Sequence, residues 1–435
     1  MKLPLEVVLS AFVAAPALGN ALPAPQSAGT ARWIVTFQPT VKHDAARNEI
    51  LSAMNVKASA YIASDGDTDH EFSAAIVDLP EGQTLDEKIG GAACTAPQFC
   101  AKALAKVVSI KKDRRFKWIE AAPISFQTTP FGMDTGVLRF PQAGQYLRAS
   151  AKYASLSARP EITWGVNRVH APAAWDTTEG AGVKVAIIDS GIDLSHPDLV
   201  GKVDGGYSAI TKTERPEDYQ DDNGHGTHVS GTVAALRDGR GVVGVAPKAR
   251  LYAVKVLDAD GSGNLSDVID GIVWAAKNGM QVANMSLGAP IDSEAMHAAV
   301  QFAKGSGLII VAAAGNSGKE VGFPGAYPET IAVSASDEHD HIAEFSSRGP
   351  QVQFIAPGVD IVSDKMGGGF VSYSGTSMAS PHVAGLAALV VSQGYVGLSG
   401  PDGVLAQLKR AAKPAVGLSA QEQGVGMIDG AKLFR

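Results

Sequence analysis

The sequence predicts an α/β protein whose helices cover both faces of a mainly parallel central sheet, preceded by a smaller α+β unit. From residue 161 to residue 435, short apolar runs that suit buried strands alternate with helical patterns, the order typical of a parallel sheet. The runs are residues 183–188, 251–256, 282–286, 308–312 and 330–334. The earlier part of the chain has its own strand and helix signals, and 435 residues exceed a typical single domain.

Composition and termini restrict the class of protein. With 45% hydrophobic residues and a net charge of −7, the chain favours neither nucleic acid nor an anionic membrane as a partner. Lys2 precedes an apolar run that ends in small residues, so residues 1–21 are interpreted as a secretory signal peptide. No later apolar run is long enough to span a bilayer. We therefore expect a soluble protein that is secreted and extracellular.

The N-terminal unit is expected at residues 31–125. Strand signals lie near residues 32–37, 72–77 and 116–120, and helical signals lie near 44–54 and 101–108. This β-α-β, β-α-β order predicts a ferredoxin-like α+β domain. Cys94 and Cys100 are compatible either with a disulfide or with two free thiols. The basic cluster at residues 111–115, broken by an acid, is interpreted as a solvated surface.

Residues 126–160 separate the two units. They show little sustained periodicity and contain turn-forming residues. We therefore interpret them as an exposed linker. Proteolytic cutting is easiest in such segments. The C-terminal unit then occupies residues 161–435.

A serine at the start of a buried helix is the first candidate functional residue. Small apolar residues recur at helical spacing in residues 375–385. Pro381 fits an α-helix only in its first turn, so Ser377 is predicted at or beside the helix N-terminus. Free backbone N–H groups there could hold an oxyanion, which a nucleophilic serine requires. For this segment alone, a simple N-cap serine is the alternative.

Other candidates follow predicted strands, where parallel sheets place their active sites. Asp189 directly follows the strand at 183–188 and, if buried, needs a partner such as an imidazole N–H. Asn316 follows a later strand and can donate to a developing oxyanion, an interaction worth ~3 kcal/mol. His225 lies between two glycines, and neither a third ligand nor a His-Glu-x-x-His pattern supports zinc binding there. His228 is interpreted as structural. For the segment of Asp189 alone, the alternative is an aspartate that caps a helix. For the segment of Asn316 alone, the alternative is an asparagine in a turn.

Together these residues make catalysis the better interpretation, because Asp, His and Ser occur in the chain order known from subtilisin. The matching motifs are Val-Ala-Ile-Ile-Asp-Ser-Gly-Ile-Asp, His-Gly-Thr-His-Val-Ser-Gly-Thr and Gly-Thr-Ser-Met-Ala-Ser-Pro-His. Residues 164–434 thus resemble the subtilisin-like serine proteases, the subtilase family or peptidase S8. The N-terminal unit resembles the inhibitor-I9-type propeptide of the same family.

The resemblance implies a catalytic mechanism. Ser377 would attack the peptide carbonyl, His225 would transfer the proton and Asp189 would orient His225. Asn316 and the Ser377 backbone N–H would form the oxyanion hole. The implied enzyme is a secreted, monomeric serine endopeptidase that acts on peptides and proteins through an acyl-enzyme, without an organic cofactor. Broad specificity with a preference for large apolar residues before the cut is expected.

The resemblance also implies a precursor and two kinds of binding residue. The propeptide would act as intramolecular chaperone and inhibitor until a cut within residues 126–160. Substrate would pair as an extra strand with two segments and fill one pocket. These residues are Gly261, Ser262, Gly263, Ser286, Leu287 and Gly288 in the segments and Ala313, Ala314, Gly315 and Gly322 in the pocket. A structural Ca²⁺ would take oxygen ligands from Asp198, Leu236, Asp238, Arg240 and Val242.

Two other classes of function fit the sequence less well. A secreted protein with the same fold that serves binding or adhesion would be free to lose the catalytic side chains, and all four are present. An esterase or lipase of the α/β-hydrolase type would carry a Gly-x-Ser-x-Gly elbow and the order Ser-Asp-His, which this sequence does not.

Overall fold

A computed structural model describes residues 30–41, 44–54, 56–63, 72–80, 83, 103, 105–119 and 161–435. The predicted signal peptide, both cysteines and the predicted linker lie outside the described residues. The strands are β1 (Thr30–Phe37), β2 (Ala60–Ala63), β3 (Ser73–Pro80), β4 (Val107–Lys112), β5 (Arg115–Lys117), β6 (Lys184–Asp189), β7 (Val203–Ser208), β8 (Arg250–Lys255), β9 (Ser262–Asn264), β10 (Val282–Met285), β11 (Ile309–Ala313), β12 (Thr330–Ser336), β13 (Val352–Pro357), β14 (Ile361–Asp364), β15 (Phe370–Tyr373), β16 (Ala412–Lys413) and β17 (Met427–Ile428). The helices are α1 (Asp44–Ala53), α2 (Trp164–Arg168), α3 (Ala171–Ala174), α4 (His225–Ala234), α5 (Leu265–Lys277), α6 (Glu294–Gly305), α7 (Thr376–Val391), α8 (Val404–Ala411) and α9 (Ala420–Gln423).

The C-terminal unit is built on a parallel sheet in the order β13-β12-β11-β10-β6-β8-β7. Alternate side chains of β6 point to opposite faces: Val185 and Ile187 pack with α4 and α7, whereas Ala186 and Ile188 pack with α5 and α6. Because both faces are covered, the inner strands are apolar runs, which made them visible in the sequence. The predicted three-layer α/β fold is confirmed, and the outer strands β7 and β13 are additions to it.

No helix in the described part of the chain combines the length and the apolar character that crossing a membrane would require.

The N-terminal unit contains an antiparallel sheet in the order β2-β3-β1-β4. The helix predicted near residues 101–108 overlaps β4, whose Val107, Val108 and Ile110 are residue types that favour strands. The predicted last strand corresponds to β5, but β5 pairs with β9 of the C-terminal unit instead of joining the small sheet.

Both faces of this small sheet are apolar and covered. Val35 and Val77 pack against α1, while their chain neighbours Ile34 and Ile76 lie in the apolar cluster that contains α5. This follows from the alternation of side chains along a strand. The C-terminal unit therefore serves as the second layer that the N-terminal sheet needs to bury its hydrophobic side chains.

Asp113 adds a polar contact to this interface. Its carboxylate accepts hydrogen bonds from the backbone N–H (3.0 Å) and the hydroxyl (2.7 Å) of Ser266, in the first turn of α5. Burial raises the pKa of Asp113 to about 6, although the bonds from Ser266 oppose the shift. The interpretation of residues 111–115 as a solvated surface is therefore wrong for Asp113, which is 8% exposed.

We expect the interface to weaken as the pH rises through about 6. A carboxyl whose pKa is raised by burial stabilises the joined state fully at a pH below its free value, and this contribution is lost as the pH passes the raised value. In a Ser377→Ala background, chosen to prevent the expected self-cleavage, Asp113→Asn should gain stability relative to its parent between pH 4 and pH 8. The gain should be about 1–3 kcal/mol by calorimetry. A difference that stays constant with pH would contradict this prediction.

Candidate active site

Asp189 and His225 form a buried hydrogen-bonded pair. Asp189 ends β6 and is fully buried, and His225 is the first residue of α4. His225 Nδ1 lies 2.9 and 3.0 Å from the two carboxylate oxygens, and the Ser190 backbone N–H donates to the same carboxylate at 2.7 Å. With Nδ1 held in this way, Nε2 on the far side of the ring is available to exchange protons.

Glycine allows the end of β6 and the start of α4 to come this close. A Cβ atom on Gly226 would lie 2.0 Å from the backbone oxygen of Gly191. A side chain there would push the helix away from the strand end. The glycine after His225 is therefore required by the approach of two backbones.

Asp221, which was not predicted from the sequence, holds the loop before α4. Its carboxylate accepts bonds from the hydroxyl of Ser190 (2.9 Å) and from the N–H groups of the two residues before His225 (both 3.0 Å). The N–H and hydroxyl of Thr227 donate to it at 2.9 and 2.5 Å. An aspartate shortly before a predicted helix N-terminus was the available signal.

Ser377 is the second residue of α7, and α7 packs against α4. Its Oγ donates to the backbone oxygen of Ser286 (3.0 Å), and Ser286 Oγ donates to the Ser377 backbone oxygen (2.7 Å). Pro381 lies in the second turn of α7, so the first-turn prediction is wrong. Pro381 has no N–H for the carbonyl four residues earlier, and that carbonyl, of Ser377, is the one that Ser286 binds.

Asn316 lies beside the start of α7. Its Oδ1 accepts from the N–H and the hydroxyl of Thr376, both at 2.9 Å, which fixes the orientation of the amide. A Cβ atom on Gly375 would lie 3.4 Å from Asn316 Nδ2 and 3.6 Å from the Ser377 backbone nitrogen. Two nitrogen donors therefore border the space next to Gly375, where a carbonyl oxygen could be held.

The two predicted substrate-binding segments lie on either side of the chain's own residues 115–119. β5 pairs antiparallel with β9, and the Trp118 N–H donates to the Gly261 oxygen at 3.1 Å. On the other side, the Gly288 N–H donates to the Trp118 oxygen at 3.1 Å. The Trp118 indole donates to the Gly263 oxygen at 2.8 Å. We call residues 115–119 the tail strand.

The tail strand leads toward the Asp189–His225 pair. The Ile119 N–H approaches the Gly261 oxygen at 3.3 Å. A Cβ atom on Gly261 would lie 3.2 Å from Ile119 Cβ and 3.6 Å from Asn223 Nδ2. Asn223 in turn accepts a bond from the His225 N–H at 3.2 Å. Gly261 therefore lies between Ile119 and the loop that precedes His225.

The residues predicted to line the specificity pocket lie at the end of β11 and in the segment that follows it. The Gly322 N–H donates to the Ala314 oxygen at 2.9 Å, and a Cβ atom on Gly315 would lie 3.8 Å from the Gly322 nitrogen. Ala313 is the last residue of β11. Ala314 is fully buried in a small apolar cluster with Val321. Its backbone, and not its side chain, therefore borders the pocket.

Asp198 contacts the loop predicted to bind calcium. Its side chain accepts from the Val242 N–H at 2.9 Å, and its backbone oxygen accepts from the Leu236 N–H at 2.9 Å. A Cβ atom on Gly241 would lie 2.0 Å from the Asp198 carboxylate. Glycine thus lets the loop pass directly over a buried carboxylate.

The donor set fits a cation in part. Burial and the neighbouring Asp238 carboxylate raise the pKa of Asp198, an effect that a bound cation would reverse. Glu161 accepts from the Gly239 N–H at 3.0 Å and adds a third carboxylate near the loop. Asp238, however, is bound by the Arg240 guanidinium at 2.7 Å. Among the described residues, no group of three or more His, Cys, Asp or Glu side chains is arranged to hold a metal.

His228 is buried, as expected for a structural histidine. Its Nε2 donates to the Ile361 oxygen at 3.0 Å, and its ring stacks on Tyr373. Burial lowers the pKa of His228 to about 3, so the ring is neutral near pH 7.

The three-layer α/β fold carries a buried Asp–His pair and a serine at a helix N-terminus. These are the three side chains of a serine-hydrolase triad. The sequence profile of the subtilase family matches residues 180–426, more than half of the chain. The chain belongs to the subtilase family.

Named relatives share this region. Subtilisin E of Bacillus subtilis (strain 168) is 51% identical over 238 residues, which are 53% of this chain and 61% of the relative. Subtilisin of Bacillus pumilus is 50% identical over 238 residues, 53% of this chain and 85% of the relative. Alkaline protease of Alkalihalobacillus alcalophilus is 46% identical over 259 residues, 59% of this chain and 66% of the relative. The chain thus spans about three-fifths of the length of subtilisin E.

We expect Asp221→Ala to destabilise the C-terminal unit by roughly 2–4 kcal/mol, because it leaves several buried donors without an acceptor. Chemical denaturation in the Ser377→Ala background would measure this loss. The exposed Asp176→Ala is the matched control and should change stability by less than about 0.5 kcal/mol. Equal losses in the two variants would mean that the bonds to Asp221 are not what holds the loop.

Proposed function

We propose that the chain is the precursor of a secreted serine endopeptidase of the subtilisin type. The observation that carries this proposal is the tail strand, an extended polypeptide held by backbone hydrogen bonds between β9 and Gly288, close to the loop that precedes His225. A groove that holds its ligand through main-chain bonds suits polypeptide substrates of many sequences. The names subtilisin and alkaline protease of the relatives agree with this substrate class.

The reaction begins at Ser377. Its Oγ turns from the Ser286 carbonyl toward His225, transfers its proton to Nε2 and bonds to the carbonyl carbon of the peptide. His225 then gives the proton to the leaving amine as the C–N bond breaks, which leaves an ester on Ser377. In the second half, His225 takes a proton from water as the water oxygen bonds to the ester carbon, and it returns the proton to Ser377 Oγ as the C–Oγ bond breaks and the acid is released. Asp189 stabilises the imidazolium that forms in each half of the cycle.

The carbonyl oxygen becomes negatively charged during each attack. Asn316 Nδ2 and the Ser377 backbone N–H, which border the space beside Gly375, would donate to it. Because Thr376 already fixes the Asn316 amide, these donors need little rearrangement when the charge develops. The positive end of the α7 dipole acts in the same direction.

The N-terminal unit would act as an inhibitor and as an aid to folding. The tail strand occupies the backbone hydrogen-bonding groups of β9 and Gly288 that a substrate would need. The small sheet also covers the apolar surface of α5. Activity would therefore require a cut after the tail strand and departure of the unit.

An apolar groove supports a preference for large apolar residues. Trp118 is 2% exposed and lies in a cluster with Leu257, Leu265 and Leu287. Burial of such a side chain contributes roughly 2–3 kcal/mol. The pocket formed by the backbone after β11 would hold the side chain that precedes the cut.

A structural Ca²⁺ is proposed at Asp198 and the loop of residues 236–242. Asp198 and Asp238 would supply carboxylates, and the carbonyls of Leu236, Arg240 and Val242 would complete an oxygen shell. The carboxylate of Asp238 would first have to release Arg240. The ion would hold the loop in place and take no part in the reaction.

The central test compares residues 22–435 with an otherwise identical Ser377→Ala chain. We expect the wild type to lose its N-terminal unit by self-cleavage and then to hydrolyse unfolded protein, whereas the variant stays intact. Intact mass and N-terminal sequencing should place the mature N-terminus within residues 126–160.

Processing that is identical in both chains would assign the cut to a contaminating protease. If neither chain is processed and neither hydrolyses protein, the fold serves binding and the proposal is wrong.

Chelation tests the proposed ion. Ca²⁺ at about 100 times its Kd would stabilise the folded state by ~2.7 kcal/mol, which predicts a Tm at least about 5 °C higher in Ca²⁺ than in chelator. Asp198→Asn in the Ser377→Ala background should abolish this difference. An unchanged Tm in the parent chain would argue against the site.

A further inference from the structure

The tail strand carries two basic side chains, and both contact the loop of residues 258–261 that precedes β9. The Arg115 guanidinium forms an ion pair with the Asp258 carboxylate. The Lys117 ammonium donates to the backbone oxygen of Asp260. A segment that binds the groove through its backbone is therefore also held by charge at the loop before β9.

Asp258 is pre-oriented for this contact. Its Oδ1 accepts from the backbone N–H groups of Asp260 (2.9 Å), in the same loop, and Ser262 (3.1 Å), the first residue of β9. Its Oδ2 binds Arg115. The carboxylate therefore does not have to be ordered when a cation arrives, which lowers the entropic cost of the ion pair.

The strand register fixes which side chain meets Asp258. Arg115 pairs with Asn264, and Phe116 pairs with Gly263. Because successive side chains of a strand point to opposite sides, Arg115 and Lys117 lie at the rim while Trp118 is buried in the apolar groove. Another polypeptide bound in this register would present its residue opposite Asn264 to the same carboxylate.

We propose that Asp258 forms a subsite for a basic side chain, so that the groove selects polypeptides with Arg or Lys at the position opposite Asn264. This inference rests on the proposed protease function. An apolar groove alone would not favour a charged side chain at this position. The tail strand is then an example of the preferred sequence, in which basic residues alternate with aromatic ones.

The test uses the mature enzyme produced by the full chain and peptides copying residues 112–124 with Arg, Gln or Glu at position 115. Each peptide competes against hydrolysis of denatured casein, so an inhibition constant is obtained whether or not the peptide is itself cut. We expect the Gln peptide to bind about 2- to 5-fold more weakly than the Arg peptide, and the Glu peptide to bind more weakly still.

The variant Asp258→Asn keeps the acceptor for the loop N–H groups and removes the charge. It should bind the Arg and Gln peptides equally, whereas the control Asp260→Asn, whose contact is made by its backbone oxygen, should keep the preference. The preference should also fade at 1 M salt. Equal binding of all peptides by the wild type, or an equal loss on all peptides in Asp258→Asn, would overturn the proposal.

Failure of the proposed function is distinguishable from failure of the subsite. If no protein is hydrolysed, amide exchange at residues 116–118 of the Ser377→Ala chain still reports the ion pair. Arg115→Gln and Asp258→Asn should each speed exchange, and the double variant should exchange no faster than either single one. Additive effects of the two substitutions would contradict the inference.

Discussion

The buried carboxylate of Asp189 is the constraint on which the site depends. A charged group at a fully buried strand end is tolerated only if hydrogen-bond donors surround it, and here they are the imidazole of His225 and a backbone N–H. That requirement fixes the distance between β6 and α4. The glycine contact at Gly226 and the bonds to Asp221 are two means of holding this distance. The reacting ring is therefore positioned before any substrate arrives.

Hydrogen bonds to the main chain hold most of the other parts of the site. Ser377, Asn316 and the tail strand are all held through backbone atoms, and Pro381 frees a helical carbonyl for Ser286 to bind. Backbone bonds are indifferent to side-chain identity, which agrees with the proposed broad substrate range. Selectivity then has to come from the apolar groove and from charges at its rim.

The sequence predicted those parts of the site that local patterns encode. A polar residue after an apolar run and a serine before a run of small residues are visible without tertiary information, so Asp189 and Ser377 were found. Asp221 was missed because its partners are spread across the end of β6 and the start of α4. The pairing of β5 with β9 joins residues far apart in the chain, and nothing in a three-residue strand specifies its partner. Pro381 was predicted in the first turn of its helix but lies in the second. The bond from Ser286 to the Ser377 carbonyl replaces the helical bond that Pro381 cannot make.

One face of the N-terminal sheet packs on the C-terminal unit, so the covalent link between the units affects how often this interface is occupied. While the chain is continuous, the apolar face of Ile34 and Ile76 meets α5 at an effective concentration that the covalent link sets and that dilution does not change. A single cut within residues 126–160 would leave the contacts of Ile34 and Ile76 with the apolar cluster that contains α5 unchanged and yet make the occupancy of the interface depend on dilution. One broken bond would thus turn a permanent intramolecular contact into a reversible complex of two separate chains.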